Sequence, residues 1–125
     1  MSRTQIFGSQ IEDNSITDAD IAPDAAILLS KIALPAGTFT SDYSILDTDY
    51  VILASASSGL LTLTLPSAIG LNGKQFVIKK VDSTPNAVVL SPVFSQTIDN
   101  SSDLTVVDPM VSVTIVSDNS NWWIL

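Results

Sequence analysis

From residue 38 onward the chain reads as strand, and the two-residue period fixes which side chains share a face. In "LLTLTLP" (60–66), Leu61, Leu63 and Leu65 fall on one side and Thr62 and Thr64 on the other. In "VSVTIV" (111–116), Val111, Val113 and Ile115 oppose Ser112 and Thr114. Alternation of this kind belongs to a strand with one apolar side. Similar segments follow one another closely: "DYSIL", "DYVILAS", "QFVIKKV", "NAVVLSP", "SQTID", "DLTVV" and "NWWIL". Turn-rich pieces separate them, among them "ASSG", "IGLNGK", "DSTPN", "DNSSD", "VDPM" and "SDNSN". Many short strands with turn signals between them predict a mainly β fold. The expected architecture is an antiparallel β-sandwich or small, jelly-roll-like barrel, preceded by an extended N-terminal arm and one short helix.

Three strands are apolar on both sides: "YVILA" (50–54), "AVVL" (87–90) and "WWIL" (122–125). A small domain has few positions buried on both faces. Only 14% of the residues are charged, below the usual quarter. Together these features point to strand faces covered by other subunits. Val51, Leu53, Val88, Leu90, Trp122 and Trp123 are the candidates for contacts between subunits or for core.

Upstream, residues 1–37 have a different character. Ile6, Ile11, Ile16 and Ile21 recur every five residues in a polar, acidic segment. Five matches neither the helix period nor the strand period. A pentapeptide-repeat coil would use that spacing, but the stretch amounts to about one turn. Burying four isoleucines does not offset the entropy of ordering such an arm, so it needs a surface from neighbouring chains. Thr17 and Asp20 resemble a capping box over a single turn. "PDAAILLSKIALPAG" (23–37) carries a short helical signal, with Pro23 and Asp24 at its start and Pro35 and Gly37 ending it. Ile27 and Ile32 join the four upstream isoleucines as candidate docking or assembly residues. The expected division is an arm over 1–37 and a β-domain over 38–125.

Composition removes several chemistries. The chain has no cysteine and no histidine, which excludes disulfides, thiolate chemistry, the usual zinc sites and histidine-based acid–base catalysis. A net charge of −8 disfavours binding to nucleic acid. No apolar run is long enough for a membrane helix. The N-terminal "MSRTQIFGSQ" lacks the features of a signal peptide, so the expectation is synthesis in the cytoplasm without export by the general route. Asp18 with Asp20, and Asp47 with Asp49, read as turn and cap acids rather than a calcium loop. No glycine-rich phosphate loop is present. Trp122 and Trp123 could form a sugar-stacking platform or could lie in a core or interface. No active site or cofactor site emerges, and the expectation is that the protein is not an enzyme.

The segments "SSGLLTLTLPSA" (57–68), "GKQFVIKKVDSTPNAVVL" (73–90), "SQTIDN" (95–100) and "VSVTIVSDNSNWWIL" (111–125) resemble a β-domain recurrent in tailed-bacteriophage virion proteins. That domain occurs in tail fibres, head fibres and capsid decoration proteins. "ITDADIAPDAAILLSKIALPAG" (16–37) is similar to a segment that often precedes such domains, and the matching segments together cover about three fifths of the chain. Asn119 stands where the family often has glycine; asparagine also tolerates left-handed backbone. The resemblance implies a homotrimeric knob on the virion, made in the host cytoplasm. The modest length favours a capsid decoration (cement) or short head-fibre protein on the outer capsid surface, its arm docking on the major capsid protein. A tail-fibre or tail-adaptor component is the alternative. A carbohydrate-binding module that takes a host-surface glycan is the alternative of another class.

Overall fold

The computed structural model describes residues 8–12, 15–22, 25 and 34–125. The chain divides into two compact units, Met1–Ala33 and Leu34–Leu125.

In the first unit, single 3-10 turns occupy Gly8–Gln10 and Asp18–Asp20. The second is capped as its sequence predicts. The Thr17 amide and hydroxyl both donate to Asp20 Oδ2, at 2.8 and 2.7 Å, and the Asp20 amide closes the turn onto the Thr17 carbonyl. These donors, the Thr17 amide foremost, hold the Asp20 carboxyl below its ordinary value. Ile11, Ile16 and Ile21 are all exposed. Ile6, Ile27, Ile32 and nearly all of the expected helix lie outside the described residues.

The second unit is built from nine strands: β1 (Ala36–Phe39), β2 (Tyr43–Ser44), β3 (Val51–Ala54), β4 (Leu61–Thr64), β5 (Gln75–Lys80), β6 (Val88–Ser91), β7 (Leu104–Val106), β8 (Ser112–Ser117) and β9 (Trp122–Ile124). They form a five-stranded sheet, β1-β3-β5-β8-β9, and a four-stranded sheet, β2-β4-β6-β7. The expectation of antiparallel sheets needs correction, because both are mixed. β1 with β3, β3 with β5, β2 with β4 and β4 with β6 are parallel; β5 with β8, β6 with β7 and β8 with β9 are antiparallel. The cause lies in the path of the chain. From β1 to β6 it visits the two sheets in turn, so each parallel connection contains a strand of the opposite sheet where other folds use a helix. Strand period reveals a face but not a partner. Neither sheet closes on itself among the described strands.

The alternating residues explain the burial. Ile52 and Ala54 of β3, Phe76 and Ile78 of β5, Ile115 of β8 and Trp122 of β9 are buried from the five-stranded sheet. Leu61 and Leu63 of β4 and Val88 and Leu90 of β6 are buried from the other. All belong to one hydrophobic cluster, joined by Ile45, Ala56, Leu65, Ala68 and Ile98 from the connections. The Trp122 and Phe76 rings meet at 5.4 Å between centroids. At the far edge, β9 is covered by Thr97–Asp99: the Trp122 amide donates to the Thr97 carbonyl, the Asp99 amide to the Trp122 carbonyl, and the Ile124 amide to Asp99 Oδ1.

Replacing Trp122 by alanine opens a cavity in this cluster and is expected to cost about 3–5 kcal/mol. Trp123→Ala, on the opposite side of the same strand, is expected to cost markedly less. Urea unfolding of the two variants against the parent checks the contrast.

Candidate functional site

The strand period carries β5 one step past its apolar residues and places a charge in the core. Phe76, Ile78 and Lys80 share the inward phase, and Lys80 is 1% exposed. A buried ammonium requires a partner. Asp82, two residues on, supplies it: Lys80 Nζ lies 2.6 Å from Asp82 Oδ1 and also donates to the Thr84 carbonyl at 2.7 Å. The carboxylate is itself saturated. Its Oδ2 accepts the Ala56 amide at 2.7 Å, and Oδ1 accepts the Thr84 amide at 3.0 Å and the Thr84 hydroxyl. Asn86 Nδ2 donates to the Ala56 carbonyl at 2.8 Å. This network ties the β5–β6 connection to the turn after β3. The Lys80 ammonium foremost, then the Thr84 hydroxyl, holds the Asp82 carboxyl well below the usual carboxylate range. Every polar group here is spent on the fold, so the cluster is structural. The signal for it was present in the sequence as the inward phase of residue 80.

One acid of each expected pair is likewise engaged in a turn, Asp20 with Thr17 and Asp49 with its own loop. Asp49 Oδ2 accepts the Tyr43 hydroxyl at 2.8 Å and the Leu46 amide at 2.9 Å. The hydrogen bond to Asp49 raises the Tyr43 phenol above its ordinary value. Among the described residues, no three acidic side chains gather into a metal-ligand group, and no helix is long and apolar enough to cross a membrane.

The six candidate trimer or core residues separate cleanly. Val88, Leu90 and Trp122 are core. Val51, Leu53 and Trp123 are half-buried on the outer face of the five-stranded sheet. The two tryptophans therefore do not form one stacking platform, since consecutive strand residues point to opposite sides. Trp123 is held in place by its Nε1–H, which donates to Asp118 Oδ2 at 2.6 Å. Asp118 also accepts the Ser120 and Asn121 amides, and these bonds, that from Asn121 foremost, hold its carboxyl below the ordinary value. Asn119 takes the left-handed conformation in this turn, with φ of 76°.

Register assembles the outer face. Ala36, Val51, Val77 and Thr114 form one row, Thr38, Leu53, Lys79 and Ser112 a second, and Gln75, Val116 and Trp123 a third. Among these described residues Lys79 is the single charge, and its ammonium donates to the Met110 carbonyl. No carboxylate stands in the rows, although the chain has 13 acidic residues. The outer face of the other sheet is different. Ser44, Thr64 and Ser91 form one row there, and Thr62, Val89 and Thr105 another. The apolar outer face is thus confined to one sheet.

Asp82 contributes stability that is fully present above the ordinary carboxylate value, about 3.9. That contribution is lost as pH falls from there through the depressed folded value. Asp82→Asn is expected to lower stability at pH 7 by stranding the buried ammonium. It is also expected to flatten the loss of stability between pH 5 and pH 2 relative to the parent. Urea midpoints measured across that range check both effects.

No protein-family model matches the chain and no curated protein matches it.

Proposed function

We propose that the protein is a non-enzymatic structural component of a tailed-phage virion. In this role it is a capsid decoration (cement) or short head-fibre protein that forms a homotrimer and docks on the outer capsid surface through its N-terminal arm. The two sheets pack face to face as an open, jelly-roll-like sandwich, which serves as the knob. The major capsid protein is the partner of the arm. The host cytoplasm is the site of synthesis.

The observation that carries this proposal is the outer face of the five-stranded sheet. Val51, Leu53, Val77, Val116 and Trp123 stand there in rows that hold one lysine and no acid. An apolar, charge-poor sheet face suits association between copies. The arm adds a second element of the right chemistry. Ile11, Ile16 and Ile21 are 43%, 57% and 41% exposed, so their apolar area is available to a surface from another chain. The resemblance of the motifs to phage virion β-domains supplies the setting. A tail-fibre or tail-adaptor role would use the same trimer, and electron cryo-microscopy of the virion distinguishes the two by position. The carbohydrate-binding alternative loses its platform with Trp122 in the core.

Light scattering at micromolar concentration is expected to give the mass of three chains. Leu53→Asp, which places a carboxylate in the middle row of the face, is expected to give the mass of one chain with an unchanged β circular-dichroism spectrum. A parent protein that is monomeric would overturn the trimer.

Replacing Ile11, Ile16 and Ile21 together by aspartate is expected to leave the trimer intact and abolish binding to undecorated shells. Each isoleucine contributes about 1.5–3 kcal/mol when buried. Cosedimentation with shells measures the loss, and normal binding by this variant would remove the arm as the foot.

A further inference from the structure

The β unit has two ends, and two of its most exposed apolar side chains, Phe94 and Ile69, stand on the one where the chain enters. Pro35 lies at that end, its carbonyl accepting the Val51 amide at the start of β3. Three loops are laced together there by side chains. The Ala68 amide donates to Gln96 Oε1 at 2.9 Å, and Gln96 Nε2 donates to Ser67 Oγ at 3.1 Å. Ser117 Oγ donates to the Ala68 carbonyl, and the Gly70 amide to Asn119 Oδ1, each at 2.7 Å. The Thr97 amide donates to Asn121 Oδ1 at 2.9 Å. The loops are therefore braced.

Two large apolar side chains project from this braced base. Ile69 is 67% exposed and Phe94 is 83% exposed. Phe94 has φ of 54° and Ser95 φ of 59°, a left-handed backbone that an L side chain adopts at a cost. A phenylalanine held there with most of its ring in water contributes little to the core. Strain of that kind, kept up by surrounding hydrogen bonds, marks positions where the side chain serves something other than folding. Around the two side chains the charge is acidic. Asp99 and Asp118 are exposed on the same loops, while the cation at this end, Lys74, leans over the Phe76 ring at 5.1 Å and the Tyr50 ring at 5.9 Å.

We propose that this end of the β unit is a second docking face, in which Phe94 and Ile69 enter an apolar pocket edged by lysine or arginine on the shell protein. The role rests on the shell-docking function proposed above and adds a contact distinct from the arm. The acidic rim selects the partner: it attracts a basic protein surface and repels an anionic lipid surface.

Phe94→Gly and the double variant Phe94→Gly with Ile69→Ser test the assignment, with undecorated shells of the parent virion as the probe. Glycine relieves the left-handed backbone, so Phe94→Gly is expected to melt at the same or a higher temperature than the parent. It is expected to keep the parent mass and to bind shells roughly tenfold or more weakly. Parent binding is expected to weaken as salt is raised. Shell binding by the double variant equal to that of the parent overturns the docking face and leaves the functional proposal standing. A lower melting temperature for Phe94→Gly makes the ring a structural anchor and overturns it. So does a changed oligomeric mass, which assigns the contact to a second copy, or a Phe94-dependent binding to anionic vesicles. If the parent itself fails to bind shells, the functional proposal and the docking face fall together.

Discussion

A strand that leaves one sheet of this domain can return beside its predecessor, in the same direction, only after the chain has travelled back along the molecule. In most proteins a helix makes that journey. Here a strand of the opposite sheet makes it, and both sheets then bury their inner faces in the same cluster. The shared core follows from this path. Ile52 and Phe76 on one side and Leu63 and Leu90 on the other belong to one apolar layer, and the connections add Ile45, Ala56, Leu65, Ala68 and Ile98. With the interior filled from both sides, each strand has one remaining face for other work.

That remaining face is where the two sheets differ. The four-stranded sheet turns hydroxyls outward, in Thr62, Thr64, Ser91 and Thr105. The five-stranded sheet turns out Val51, Leu53, Val77, Val116 and Trp123. Edge protection follows the same division. The Thr97–Asp99 segment occupies the backbone groups along β9, which prevents edge-to-edge pairing at that side. Association between copies through the face therefore need not compete with strand addition at that edge. The buried Lys80–Asp82 pair secures the end away from the chain entry, where it joins the β5–β6 connection to the turn after β3.

Much of this was legible from the strand period. The inward phase of Leu61, Leu63, Phe76, Ile78 and Ile115 is written in the sequence, as is the cap that joins Thr17 to Asp20. Asparagine at 119 takes the left-handed turn that glycine would take. The same period also marked Lys80 as inward, a signal that is easily passed over because lysine is normally exposed. The assembly candidates were legible only as a mixed group. Val51 and Val88 look alike in sequence, each in a run apolar on both sides, yet one is outer face and the other core. Phe94 and Ile69 carried no signal at all, since an apolar residue between turn residues can be a plug or a projection depending on how its loop is tied.

The sequence by itself determined that the chain makes strands, which side chains share a face of each strand, where the turns fall, and that histidine and cysteine chemistry is absent. Those are local properties, set by the two-residue period, by turn residues and by composition. Only the tertiary structure decided which strands pair, in which direction, and which of two apolar faces is covered by the other sheet. Those are properties of the chain path. The energy that fixes them comes from contacts between residues far apart in sequence, such as Trp122 with Phe76 and Ala56 with Asp82, and no short-range pattern encodes them.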